Sequence, residues 1–259
     1  MDKQKLREIK LLEMLKSDRR LDIATVTKKL KISEATARRL FTKLENESKL
    51  LRIHGGIQAA PELSSDYSFR ISVTQNIAQK EAIGKAAASM IKSGTRLFMD
   101  AGTTVLKMAE ALSIRIQAGE LKNITVVTNS LSFLNNLAEY CDVILLGGKL
   151  RADRHDVCGS LARQNLKNFN CDQVFLGIDA VSKDGSLMAT DSETAEINSL
   201  FIENSKEFYI LSDSSKFNKK SFLSFGRIQD ADALITDSDI SKAQQEAFEK
   251  IGARIIKVS

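Results

Sequence analysis

The 259-residue sequence predicts an α/β domain with a largely parallel sheet, preceded by a small basic helical domain. Three observations predict it. From Lys80 to the end, short apolar runs of strand length alternate with helical stretches, the pattern of buried parallel strands joined by helices. Several of those runs end in polar or glycine-containing tips, where such sheets bind ligands. Charge is also unevenly spread. Residues 1–56 carry 15 Lys+Arg and 8 Asp+Glu, a net +7, whereas the remaining residues sum to −2. A basic head on a slightly acidic body points to an anionic partner for the head alone.

Within the head, Leu6, Ile9, Leu12 and Leu15 recur at helical spacing and predict a first helix. Ile23, Val26 and Leu30 predict a short second one, and Lys31-Ile32 a tight turn. Ser33 then suits an N-cap, and Ala37, Leu40, Phe41 and Leu44 form an apolar stripe along a third helix from about Glu34 to Glu47. With that stripe on the core, Ala35, Arg38, Arg39, Thr42 and Lys43 face outward. Two helices, a tight turn and a third helix with a basic outer face meet the requirements of a helix-turn-helix, whose last helix enters the major groove. There Arg pairs with guanine edges or phosphates, and Ser and Thr contact either. Leu50 to Gly56 reads as a strand and glycine turn, a small wing carrying Arg52 and His54. The competing reading of the head is a three-helix bundle used for protein contacts.

The body opens after a linker, 58–76, which holds the chain's one proline, Pro61, and ends in Tyr67-Ser68-Phe69-Arg70, a short docking segment. A helix with Ile83, Ala87 and Ile91 leads to a strand at Leu97-Met99. Further strands are expected at 124–127, 143–146, 174–176, 208–211, 233–235 and 255–258. Helices are expected near 105–113, 130–140, 160–170, 193–205 and 241–251. The predicted domains are therefore 1–57, the linker 58–76, and 77–259.

The stretch Thr95 to Thr104 is the most informative part of the body. A buried strand ends in Asp100, breaks at Ala101-Gly102-Thr103-Thr104 and passes into a helix. The first N–H groups of a helix have no internal partners, and the dipole there favours an anion. An ordinary threonine-capped turn uses the same residues, so the other strand tips decide. Thr128-Asn129-Ser130, Gly147-Gly148, Gly177 to Asp179 and Asp213 to Lys216 all fall at carboxyl ends of predicted strands, which favours the phosphate reading. His155 is expected to be exposed. No apolar run reaches membrane-spanning length and the charged start lacks a signal peptide's apolar centre, so a cytoplasmic location is expected. Cys141, Cys158 and Cys171 are spaced too widely for a metal knuckle and predict reduced packing residues.

Ser33-Glu34-Ala35-Thr36-Ala37-Arg38-Arg39 and Leu51-Arg52-Ile53-His54-Gly55-Gly56 resemble the N-terminal domain of the DeoR family of bacterial transcriptional regulators. The resemblance runs on through Asp100 to Thr104, Thr128 to Ser130, Leu145 to Gly148, Phe175 to Asp179, Thr190 to Glu193 with Glu196, and Asp213 to Phe217. It implies a winged helix-turn-helix joined to a sensor of the sugar-phosphate isomerase and CoA-transferase type. The implied partners are an operator duplex and a phosphorylated sugar or related metabolite, and the implied function is repression that the metabolite relieves. Three departures stand out. Leu40 replaces an Asp, Ser48-Lys49 replaces Gly-Leu, and Asn198 stands where many members carry Lys, which makes a different ligand or binding mode the expectation.

The DNA-contacting set is then Ser33, Ala35, Thr36, Arg38, Arg39, Thr42, Lys43, Arg52 and His54. The effector set is Asp100, Gly102, Thr103, Thr104, Thr128, Asn129, Ser130, Gly147, Gly148, Asp179, Glu193 and Lys216. Gly102, Thr103 and Thr104 suit a phosphate, with Lys216 as the compensating cation. Asp100, Asp179 and Glu193 suit sugar hydroxyls. No catalytic residue, cofactor or metal is predicted. A homo-oligomer, dimer or tetramer, is expected because one recognition helix reads only a few base pairs. The rival class is a sugar-phosphate isomerase with an appended basic domain, using Asp179, Glu193 and Glu196. A metabolite sensor that does not bind DNA is the third reading.

Overall fold

The computed structural model describes residues 3–18, 20–46, 49–53, 55–59 and 69–259. Two compact units result, 1–66 and 67–259. Of the sequence expectations, Glu47 and Ser48 after the third helix, His54 in the wing and Pro61, Tyr67 and Ser68 in the linker lie outside the described residues.

In the first unit, α1 spans Lys3–Asp18, α2 Ile23–Leu30 and α3 Glu34–Asn46. Asp22 caps α2 by accepting the Thr25 N–H at 2.7 Å. Lys31, left-handed at φ 51°, ends that helix and makes the tight turn. The Ser33 hydroxyl then accepts the Thr36 N–H at 3.3 Å and opens α3. Ala37, Leu40, Phe41 and Leu44 are all buried, so Leu40 is a core residue here and packs under the helix. The wing is an antiparallel hairpin of β2 (Leu50–Ile53) and β3 (Gly56–Ala59), turned at Gly55 with φ +79°. A strand that the sequence pattern did not indicate, β1 (Arg20–Asp22), pairs with β3 to give the order β1-β3-β2. The expected α1 stripe is displaced. Leu11 and Leu15 enter the core, Leu12 is partly buried, and Leu6 is 40% exposed, because only the later turns of α1 reach that core.

The second unit is organised by a seven-stranded parallel sheet of β4 (Arg96–Met99), β5 (Thr125–Thr128), β6 (Asp142–Leu145), β9 (Cys171–Leu176), β12 (Ser205–Leu211), β14 (Ala233–Asp237) and β15 (Ile255–Val258). Its order is β15-β14-β12-β9-β4-β5-β6. Side chains alternate across the strands and feed two cores. Leu97, Met99, Val126, Phe175, Tyr209 and Ile235 face the side covered by α5 (Ile77–Ser89) and α6 (Thr103–Gln117). Phe98, Val127, Val174, Leu176, Ile210 and Leu234 face the side covered by α8 (Gly159–Leu166), α9 (Ser192–Glu203) and α10 (Lys242–Lys250). Both faces of the five inner strands are covered, which is why they read as continuous apolar runs, whereas edge strand β6 leaves Ile144 and Leu145 exposed.

Two smaller sheets decorate this frame. β7 (Lys149–Arg151) and β8 (Asp156–Cys158) form a hairpin, and β10 (Ala180–Val181), β11 (Ser186–Ala189) and β13 (Leu223–Arg227) an antiparallel sheet. The helix expected across 130–140 is one turn, α7 (Leu134–Leu137). Another one-turn helix, α4 (Phe69–Ser72), is the end of the expected linker, and it is docked. Its Phe69 N–H donates to the Asp153 carbonyl at 3.2 Å, and the Phe69 ring stacks on His155 at 4.6 Å. His155 is thus half-buried in a stack rather than exposed. All three cysteines are free thiols; burial pushes Cys141 up to about 11 and Cys171 up to about 12. No described helix is long and apolar enough to cross a membrane.

Candidate functional site

The strand order reverses between β4 and β9. From β4 the chain winds through β5 to β6, and from β9 it winds the other way through β12 and β14 to β15. The helices after those two strands, α6 and α9, cover opposite faces, which opens a crevice at the carboxyl ends of β4 and β9. A cleft lies there.

Asp100 and Gly177 form its floor. Asp100, 6% exposed, accepts N–H groups from Gly102 at 2.8 Å and Gly177 at 2.9 Å, tying the two loops together. Burial pushes its carboxyl up to about 7 against the pull of those two donors. Gly102 caps α6, and Thr103 and Thr104, both buried, line the cleft at the helix N-terminus. Ionised Asp100 therefore competes with any anion bound there, and protonated Asp100 does not.

Two lysines face the same space. Lys216 follows β12, as the sequence suggested. Lys80 comes from the first turn of α5 and was not among the expected site residues. It is 3% exposed and its Nζ donates to the Ser72 carbonyl at 2.6 Å. Burial lowers it to about 8, nearby Asp213 favours its charged form, and Lys216 and Lys107 oppose it. Neither Lys80 nor Lys216 forms an ion pair among the described residues. The sequence held one signal for Lys80: it sits in register with Ile83, Gly84 and Ala87 on the buried stripe of α5, a place where a charged residue is rarely buried without a purpose.

Asn129 and Asp179 also line the cleft, whereas five other expected effector residues do not. Thr128 is fully buried, its hydroxyl donating to the Met99 carbonyl at 2.6 Å and accepting the Ser130 N–H at 3.0 Å. Ser130 is likewise buried, and its hydroxyl accepts the Ser132 N–H. Gly147 and Gly148 lie at the start of the hairpin, where a Cβ on Gly148 would come 2.5 Å from the Cys158 carbonyl oxygen. Close packing, not ligand access, requires glycine there. Glu193 accepts the Gly159 N–H at 2.9 Å and pairs with Arg163 at 2.8 Å, on the α8 side of α9.

The far wall is a charged lattice. Asp191 caps α9 through the Thr194 N–H and pairs with Arg151 at 2.8 Å and Arg154 at 2.9 Å, while Arg151 also pairs with Asp156 at 2.5 Å. Burial works against the Arg151 charge, but Asp156 and Asp191 together outweigh it and the guanidinium is held above its usual range. Asp179 is occupied by Thr190, accepting its N–H at 2.8 Å and its hydroxyl at 3.0 Å. Arg154 and Asp156 both reach the cleft.

In the first unit, the expected contact residues cluster on α3. Ala35, Arg38, Arg39, Thr42 and Lys43 are exposed, and Ser33 and Thr36 occupy its first turn. Arg38 pairs with Glu34 at 2.6 Å, an exposed contact worth only a few tenths of a kcal/mol, and Lys43 pairs at 2.5 Å with the largely buried Glu8. Arg52 on the wing donates to the Thr42 hydroxyl at 3.3 Å, tying β2 to α3.

A winged helix-turn-helix and an α/β unit with a polar cleft at its switch point define a ligand-responsive DNA-binding regulator. The comparisons agree. Residues 7–62 match the DeoR-like helix-turn-helix domain and residues 75–238 the DeoR C terminal sensor domain. The chain belongs to the DeoR family of transcriptional regulators. It is 30% identical over 253 residues to the transcriptional repressor AccR of Agrobacterium fabrum, covering 96% of each chain. It is 33% identical over 250 residues to the lactose phosphotransferase system repressor of Lactococcus lactis, covering 95% of each. To the glycerol-3-phosphate regulon repressor of Escherichia coli it is 30% identical over 238 residues, covering 91% of this chain and 92% of the relative.

Proposed function

We propose that the chain is a cytoplasmic, homo-oligomeric repressor of sugar-metabolism genes, with α3 on an operator duplex and a phosphorylated sugar in the switch-point cleft. One observation carries the effector half. Lys80 and Lys216, two cations outside any ion pair among the described residues, share the cleft with the free N–H groups at the start of α6. Like charges brought together in a partly buried site are stabilised by a bound anion. Thr103 and Thr104 supply hydroxyls to the same phosphate. The names of the lactose and glycerol-3-phosphate relatives support a sugar-related ligand. Arg38 and Arg39 on the exposed face of α3, with Arg52 on the wing, serve the DNA half, and two copies of α3 read the two halves of the operator.

The test is fluorescence anisotropy of the full chain on duplex from upstream of its own gene, against scrambled duplex, across a salt series with a panel of sugar phosphates. Specific binding with a steep salt slope, released by a sugar phosphate, is the expected result. Equal binding to both duplexes overturns the operator reading, and no response to any sugar phosphate overturns the effector reading.

A further inference from the structure

Two buried carboxamides on the cleft wall carry hydrogen-bonding capacity that the protein leaves unused. Asn129 is 5% exposed; its Nδ2 donates to the Val157 carbonyl at 3.3 Å and its Oδ1 has no partner. Exchanging the two atoms would set oxygen against oxygen, so the contact to Val157 fixes which atom is left over. Asn198 is 3% exposed and sits on α9 one turn after Thr194. Its side chain forms no hydrogen bond among the described residues. For the Asn129 oxygen, which is shut off from solvent, lacking a partner costs about 1–3 kcal/mol. Packing alone gives no reason for that oxygen and a second unengaged carboxamide to line one cleft.

Charge tells what they face. Arg154 is engaged by Asp191 and Thr190, which leaves Lys80 and Lys216 to balance a ligand. Two lysines match one phosphate. The other charged side chains on the wall are carboxylates, Asp100, Asp156, Asp179 and Asp213. A second anion would meet those acids and two neutral amides. A hydroxyl, by contrast, can donate to Asn129 Oδ1 and either donate to or accept from Asn198.

We propose that Asn129 and Asn198 form an uncharged hydrogen-bonding subsite that makes the cleft select ligands with one phosphate and a neutral hydroxylated tail over ligands with a second anionic group. The proposal rests on the reading of the cleft as a phosphate site. Asn198 is its specificity-determining residue.

Isothermal titration of the full chain with inorganic phosphate, and with pentose and hexose monophosphates each paired with its bisphosphate, tests both levels. The expected preference for the best monophosphate over its bisphosphate is about tenfold or more. Asn198→Leu should lose about tenfold in monophosphate affinity, keep its affinity for inorganic phosphate, and melt no lower than the parent without ligand. Asn198→Lys should narrow or invert the preference. Equal affinity for mono- and bisphosphate, or a preference unmoved in both variants, overturns the subsite and leaves the phosphate site standing. Absence of binding for inorganic phosphate and every sugar phosphate overturns the phosphate site as well. Should Asn198→Leu not fold, the parent's preference and Asn198→Lys decide the matter.

Discussion

The outer face of α3 and the sensor cleft both present cations, the first on an exposed surface and the second among carboxylates. On α3, Arg38, Arg39 and Lys43 are exposed, and the Arg38–Glu34 contact is a surface pair that costs little to give up. In the cleft, Lys80 is buried and held by the Ser72 carbonyl before any ligand arrives. A duplex is long, and it is met by side chains that can adjust along it, with affinity that salt erodes. A small anion is enclosed, and it needs donors already in position. On the proposed function, one polypeptide recognises phosphate twice, once by exposed surface charge and once by fixed buried charge.

The comparison breaks most readily at the DNA face. Replacing Arg38 and Arg39 together with Ala should weaken operator binding by roughly a hundredfold, from about 1–3 kcal/mol for each specific contact. It should also flatten the salt slope and leave inorganic phosphate binding unchanged in calorimetry. Next in size is Lys80→Met, which should cost about ten- to thirtyfold in phosphate affinity, as loss of a charged donor does, with anisotropy on duplex unaltered. If that variant loses DNA binding equally, the two surfaces are not independent.

Acidity sharpens the contrast in the cleft alone. As pH rises through about 7, Asp100 ionises and adds negative charge beside the α6 N-terminus. Through about 8, Lys80 loses its proton and a positive charge disappears. Both changes oppose an anion, so phosphate affinity should fall between pH 7 and 9. A calorimetric series with a flat profile would refute this. Thr103→Ala should have the smallest effect, a few-fold loss of effector response from about 1 kcal/mol of hydrogen bonding, with duplex binding intact.

The same contrast explains what the sequence made legible. All seven main strands stood out as apolar runs, the five inner ones because helices bury both their faces, and α3 stood out because its stripe of Ala37, Leu40, Phe41 and Leu44 follows one period. The β7–β8 hairpin and the sheet of β10, β11 and β13 are short and partly exposed, so they left no periodic trace. Asn129, Asp179 and Lys216 were legible as cleft residues because they end strands. Lys80 was not, because it precedes the first strand of the sheet and only packing brings it in. Glycines were ambiguous: Gly102 and Gly148 look alike in sequence, yet one caps α6 at the cleft and the other admits a neighbouring backbone.

Gly84 carries the last lesson, one for anyone wishing to engineer this protein. By helix propensity, a glycine inside α5 is the first residue to replace, for a gain of about 1 kcal/mol with Ala. Yet a methyl group at that position would lie 2.5 Å from the Lys107 carbonyl carbon and 2.6 Å from the Met108 nitrogen, in the backbone of α6. Such a clash outweighs propensity. Gly84 sits one turn beyond Lys80, and Lys107 one turn beyond Thr103. The two helices are clasped there, main chain to main chain, so buried lysine and helix N-terminus travel as one piece. Stabilisation campaigns should leave that position untouched, and libraries aimed at new ligand preferences have their freedom on the opposite wall.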